Sequence, residues 1–226
     1  MSNPIGRGAV ESIVREIVLQ RLGARVTTSG RLAPSALRVT VSARHMHTSQ
    51  EDLEKLFGPG HQLTTLRPLY QEGQYAAEET VTLVGPKRRL ISNLRILGPV
   101  RKRTQVELAF TDAITLGIED VPVRLSGDIA GTPGGFLLGP AGMLELKEGI
   151  IRAARHVHMS PEDADYYGVR HGDVMKLRVG GEAGVILDRI HVRVDPTFKL
   201  EAHLDTDEAN ACGLHLSPRV GLIRFL

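Results

Sequence analysis

From Leu37 onward the chain alternates. Leu37, Val39, Val41 and Ala43 are apolar and Arg38, Thr40, Ser42 and Arg44 polar, a period of two that predicts a half-buried strand. Similar short runs recur at 80–84, 105–110, 174–179, 190–194 and 200–204. Gly and Pro separate them, and many short strands broken this way favour barrels or sandwiches over parallel sheets. Residues 50–57 and 161–167 read as helices of one or two turns that cap the strands. Ahead of all this, Val10, Ile13, Val14, Ile17, Val18 and Leu22 fall at helical spacing, with Glu11, Arg15, Glu16 and Arg21 for the other face. That predicts a short amphipathic helix, followed by a Gly/Thr/Ser/Pro linker over 23–34. The helix either docks on its own domain or buries its stripe on a partner. Its charges exclude a secretory signal.

The chain also matches itself. The eleven residues from Ser42 to Asp52 align with those from Ala153 to Asp163, and seven of the eleven are identical, including Ala-Arg-His-x-His and the later Ser-x-Glu-Asp. Such a match implies an internal duplication. In each copy Ser49 or Ser160 precedes an acidic pair, the composition of a helix N-cap with carboxylates in the first turn. Each His-x-His therefore ends a strand just before a capping helix. The predicted fold is mainly β: two related β-barrel domains, short capping helices and the N-terminal amphipathic helix. The expected divisions are 1–34 for helix and linker, 35–145 for the first barrel repeat and 146–226 for the second.

Histidines at i and i+2 of a strand project from one face, close enough to grip one cation. His45 and His47 continue the parity of Val39, Val41 and Ala43, so in an unbulged strand they point inward. The plain alternative is a pair of hydrogen-bonded structural histidines, and the doubling of the motif favours metal. A catalytic zinc usually keeps three protein ligands and an open position, so each pair needs a third donor. Sliding the chain by 96 sets Glu107 opposite His203, Asp112 opposite Glu208 and Gly117 opposite Gly213. An offset of 95 would instead match Thr111-Asp112 to Thr206-Asp207. Glu107 and His203 are the third ligands the first alignment offers. His61, His171, His191 and His215 lack repeat partners and read as surface or structural residues. Cys212 reads as a small buried hydrophobe.

Composition narrows the classes. The 226 residues are 42% hydrophobic and 24% charged but only 4% aromatic, without tryptophan, so the core must rest on Val, Leu and Ile. One cysteine excludes an internal disulfide, and no apolar run reaches the ~18 residues of a membrane span. A cytoplasmic protein is expected. The net charge of +2 is too small to imply nucleic acid, yet residues 85–104 hold seven basic side chains and no acidic one. That run is either a solvated strand face or an anion site. Nucleic acid fits it poorly because no aromatic residue interleaves the charges.

The segment Ser42-Ala43-Arg44-His45-Met46-His47, the run from Arg95 to Arg101 leading into Gln105-Val106-Glu107, and the run from Arg155 to Pro161 together resemble the PduL-type phosphotransacylases, or phosphate propanoyltransferases. The similarity runs from about Leu37 to the C-terminus. It implies paired β-barrels with two zinc ions between them, where phosphate and acyl-CoA meet. His45, His47 and Glu107 would hold one zinc and His156, His158 and His203 the other. Arg101 matches the family's phosphate-binding, catalytic arginine, and Ser42, Arg67, Arg95, Leu97 and Asn210 would line the substrate pocket. The resemblance further implies that the strand before the first His-x-His pairs with the C-terminal barrel. It also implies that the N-terminal helix directs the enzyme to shell or core proteins of a bacterial microcompartment. A homo-oligomer, a dimer, is expected. Two other classes remain open from the residues themselves: a zinc-dependent thioester or ester hydrolase, since His-x-His also opens such sites, and a scaffold protein whose zinc is structural.

Overall fold

A computed structural model describes residues 36–216 and 218–224. The helix expected over 10–22 and its linker lie outside the described residues. What is described is mainly β, in two mixed sheets each curled into a half-barrel.

The chain runs through β1 (Arg38–Ser42), β2 (His45–His47), α1 (Gln50–Phe57), β3 (Thr65–Pro68), β4 (Tyr75–Val84), β5 (Leu90–Gly98), β6 (Gln105–Glu107), α2 (Phe110–Leu116), β7 (Val123–Arg124), β8 (Gly135–Leu138), β9 (Met143–Leu146) and β10 (Ile150–Ala153). It continues through β11 (His156–Met159), α3 (Pro161–Tyr167), β12 (Val174–Val179), β13 (Val185–Val194), β14 (Glu201–Asp205), α4 (Thr206–Ala211), a short 3-10 turn and β15 (Val220–Arg224). One sheet has the order β7-β10-β6-β2-β5-β4-β8-β9, with β3 on β4; the other has β1-β14-β11-β13-β12-β15. Among the described residues no helix is long and apolar enough to cross a membrane.

Two crossings between the sheets position everything that follows. β1 pairs in parallel with β14 in one sheet, and after Ala43-Arg44 the chain enters the other sheet as β2. β10 pairs in parallel with β6, and after Ala154-Arg155 the chain crosses back as β11. Each His-x-His is thus the first thing the chain makes on reaching a new sheet. The break at Ala43-Arg44 also corrects the parity argument, because β1 and β2 are separate strands. Val41 is exposed, whereas Thr40 lies opposite His203.

Each sheet encloses its own aliphatic core, one including Met46, Leu94, Ile96 and Val106, the other Val157, Met175, Ile190 and Val192. The middle residue of each His-x-His, Met46 or Val157, is fully buried in its core. Alternation then sends both histidines of each pair out of the opposite face. The capping helices start where the sequence puts them. Ser49 and Ser160 each accept a hydrogen bond from the backbone N–H three residues on, and α3 adds Pro161 at its first position, an Asp163 capping box and a left-handed Gly168 stop.

The helices after the third-ligand strands follow the offset of 96. The N-caps are Ala109 and Asp205, and the N3 carboxylates that close on them are Asp112 and Glu208. The run read as a strand over 105–110 ends at Glu107, because the chain turns into α2 at Phe110.

Candidate active site

Strand register brings the predicted ligands together. β2 runs antiparallel to β6 with His45 opposite Glu107, and β11 runs antiparallel to β14 with His156 opposite His203. The donor atoms of His45, His47 and Glu107 all lie within 4.8 Å of one another, as do those of His156, His158 and His203. His45 Nε2 stands 3.5 Å from Glu107 Oε2, close to the ~3.3 Å edge of a tetrahedron with ~2.0 Å metal bonds. Glu107, His156, His203 and Ser42 line one shared cavity, so the two clusters open toward the same space.

The imidazoles are oriented for a cation. His45 Nδ1–H donates to Ala43 O at 2.8 Å and His156 Nδ1–H to Ala154 O at 2.9 Å, both carbonyls lying in the crossings. His47 Nδ1–H donates to Leu97 O at 3.1 Å. Thr40 Oγ1 gives its proton to Glu201 Oε1, so it accepts from His203 Nδ1–H. In these four rings the Nε2 lone pair remains for a metal, the usual arrangement around ligating histidines. Both ring nitrogens of buried His158, and Nε2 of His203, have no hydrogen-bond partner among the described residues. Burying such groups without a partner is costly, and a cation bound by the three rings removes that cost. Imidazole and carboxylate donors in sets of three suit zinc.

The electrostatics agree. Burial first, and neighbouring imidazoles second, press the pKa of His47 down to about 3 and that of His158 to about 2. His156 is lowered for the same reasons. Burial pushes the Glu107 carboxyl up, but His45, His47 and the Ser126 hydroxyl outweigh it and hold it well below the usual carboxylate range. Neutral rings and an ionised carboxylate are the forms that bind metal. Among the six donors Glu107 is the one carboxylate, so the first cluster offers a charged ligand and the second imidazoles alone.

Other sequence candidates are placed unevenly. Arg101 is fixed by its backbone N–H to Thr48 O at 2.8 Å, one residue beyond the first His-x-His, and its guanidinium donates to Ser126 Oγ at 3.0 Å. Arg95 is the register partner of His45, and its guanidinium donates to Ala77 O. Leu97 contributes its carbonyl to His47. Arg67 and Asn210 are exposed, and no hydrogen bond or ion pair among the described residues ties either to the clusters.

Sequence reasoning missed a layer of supporting residues. Ser126 Oγ donates to Glu107 Oε1 at 2.8 Å while accepting from Arg101 and Gln105, and Gln105 Nε2 also donates to Glu107 at 2.6 Å. Glu201, fully enclosed, accepts from Thr40 and Gln71 beside His203. Gln105 and Glu201 each sit two residues before a third ligand, so strand periodicity could have found them. Ser126 carries no such signal.

A family model described as phosphate propanoyltransferase matches residues 38–215, a span that contains both clusters and Arg101. The chain belongs to the phosphate propanoyltransferase family. Phosphate propanoyltransferases of several bacteria resemble it over most of their length. That of Planctopirus limnophila is 50% identical over 226 residues, covering 97% of this chain and 92% of the relative. The Thermotoga maritima protein is 53% identical over 188 residues, 83% of this chain and 89% of the relative. The Listeria monocytogenes protein is 41% identical over 224 residues, 99% and 98% of the two chains. The phosphate propanoyltransferase match begins at β1 and ends in the turn after α4, so it takes in the crossings as well as the donors.

Proposed function

We propose that this protein transfers a short-chain acyl group, propanoyl or acetyl, from coenzyme A to inorganic phosphate, releasing an acyl phosphate and free coenzyme A. Membership of the family supports the reaction class. The observation that carries the reading is the pair of three-donor clusters opening on one cavity, with Arg101 linked to one of them through Ser126.

In this reading His45, His47 and Glu107 hold one zinc ion and His156, His158 and His203 a second. Zinc bound there supplies a Lewis acid for the thioester carbonyl and a thiophilic partner for sulfur. Arg101 binds phosphate through its planar fork and aligns an oxygen with the carbonyl carbon. That oxygen forms the new C–O bond, the C–S bond breaks, and coenzyme A leaves as thiolate, so no acyl-enzyme is required. Ser42, Arg95, Leu97, Arg67 and Asn210 line the rest of the substrate pocket. The repeated crossings support a duplication with barrel repeats over 35–145 and 146–226. A homodimer, and delivery by residues 1–34 to a microcompartment's shell or core enzymes within the cytoplasm, complete the proposal.

The deciding experiment follows thiol release from propanoyl-CoA with and without phosphate. Release that requires phosphate and yields propanoyl phosphate is expected. Equal release without phosphate would identify a hydrolase.

A further inference from the structure

We infer that Arg193 binds the inorganic phosphate together with Arg101, so that the acyl acceptor is held by two arginines. The inference rests on the proposed phosphate acyl transfer and adds a residue to its substrate site.

β13 runs parallel beside β11, and Arg193 is the register partner of His158. Register partners on neighbouring strands project from the same face. Their neighbours Val157 and Val192 are buried in the core behind, so Arg193 and His158 leave the sheet together on the donor side. Phe198 lies against both: its ring centroid is 4.2 Å from that of His158 and 6.0 Å from the Arg193 guanidinium carbon. The positive charge of Arg193 acts on Arg101 as well as on His156 and His158, and that of Arg101 acts on His158. Arg193 therefore faces the second cluster, while Arg101, in the loop between β5 and β6, is held beside the first through Ser126 and lies within electrostatic reach of His158 and Arg193.

Arg193 has no counter-charge. It is half-buried, yet its side chain makes no ion pair or hydrogen bond with any described residue. Other arginines near the seam are paired: Arg44 with Asp112, Arg152 with Asp205 and Glu208, and Arg155 with Glu208. Arg101 spends one guanidinium nitrogen on the Ser126 hydroxyl, a neutral partner. Glu107 is the one carboxylate acting on Arg101, and none pairs with the half-buried Arg193; a phosphate dianion offers charge and acceptors enough to bridge the two guanidiniums. Coenzyme A carries its own phosphates at the far end of the pantetheine arm. A site beside the metal donors therefore suits the small attacking anion, not the coenzyme.

The test uses zinc-loaded full-length protein, comparing wild type with Arg193→Ala and Arg193→Lys. Zinc content, the KM values for phosphate and for propanoyl-CoA, and the calorimetric affinity for inorganic phosphate without acyl-CoA are measured for each. Arg193→Ala is expected to keep its zinc, raise the phosphate KM and weaken phosphate binding by about tenfold or more, and leave the propanoyl-CoA KM within about twofold. Arg193→Lys, which keeps charge but loses the fork, is expected to show a smaller rise. A zinc-retaining Arg193→Ala with wild-type phosphate KM and affinity overturns the assignment, as does a rise confined to the propanoyl-CoA KM. Should Arg193→Ala fail to fold or to hold zinc, Arg193→Lys decides by the same phosphate readouts. Wild-type protein that releases thiol without phosphate defeats the acyl-transfer reading itself. Phosphate-dependent wild type beside an unaffected variant defeats only the role of Arg193.

Discussion

Glu107 and Arg101 meet at a hydroxyl. Ser126 accepts from Arg101 and from Gln105 and passes its own proton to Glu107, which uses the full capacity of a serine side chain. It ties the orientation of the proposed phosphate-binding arginine to a carboxylate of the first cluster. In Ser126→Ala, Gln105 still bonds Glu107, so zinc is expected to remain. Arg101 loses its seat, and a lost hydrogen bond of about 0.5–1.5 kcal/mol corresponds to a roughly two- to tenfold rise in phosphate KM. Steady-state kinetics with metal analysis checks this, and an unchanged KM would remove Ser126 from the site. At this scale the histidines and both third donors were legible because a repeated pair of imidazoles is rare and its third member aligned at one offset. Ser126 and Arg193 were not. Their roles depend on strand register and on contacts between segments far apart in sequence, which no local spacing records.

At the scale of elements, the repeated Ala-Arg before each His-x-His acquires a purpose. The alanine carbonyl holds the first histidine, and the arginine reaches the N3 carboxylate of the helix that follows the third-ligand strand: Arg44 to Asp112 at 2.8 Å, Arg155 to Glu208 at 2.7 Å. Those helices touch through Thr111 and Asp207, positions that correspond at the offset of 96. Arg152 on β10 adds a bridge from one sheet to Asp205 and Glu208 of the other. Both acids are buried and Arg155 still holds Glu208, so Arg152→Ala strands the Asp205 carboxylate and is expected to cost about 3 kcal/mol of stability by denaturant unfolding. A loss below about 0.5 kcal/mol would show that the bridge is idle. Ser160→Ala, which removes the α3 cap, is expected to cost about 1 kcal/mol in the same assay, and a neutral result would contradict the cap's role. The capped helices α1 and α3 were legible to the residue because Ser, the acidic turn and the closing Gly all agree. α2 was hidden: its N-cap is Ala109, a residue with no capping side chain, and Phe110 prolonged the alternation of the strand before it.

For the molecule as a whole, two aliphatic cores stand back to back with the donors at the seam. The absence of tryptophan and scarcity of aromatics led to that kind of core directly, and the mainly β class followed from short alternating runs. The pairing of β1 with the C-terminal sheet was anticipated only by the family resemblance, and the rest of the strand order, β10 beside β6 included, did not follow, because an alternating pattern carries no address. Concentrating imidazoles at the seam has a consequence for metal-free protein. His47, His156 and His158 have folded pKa values lowered by burial, so below about pH 6.5 the unfolded chain binds protons that the folded chain does not. Stability then rises with pH across that window. The melting temperature of chelator-treated protein is expected to fall steadily from about pH 6.5 toward pH 4, and a flat profile would mean the rings are not buried as described.

Metal analysis of purified, catalytically active protein speaks most directly to the paired-cluster claim. Expected are two zinc ions per chain in wild type and about one in His158→Ala, which keeps the donors of the first cluster intact. Active protein free of bound transition metal, or a His158→Ala variant that still holds two ions, would contradict it.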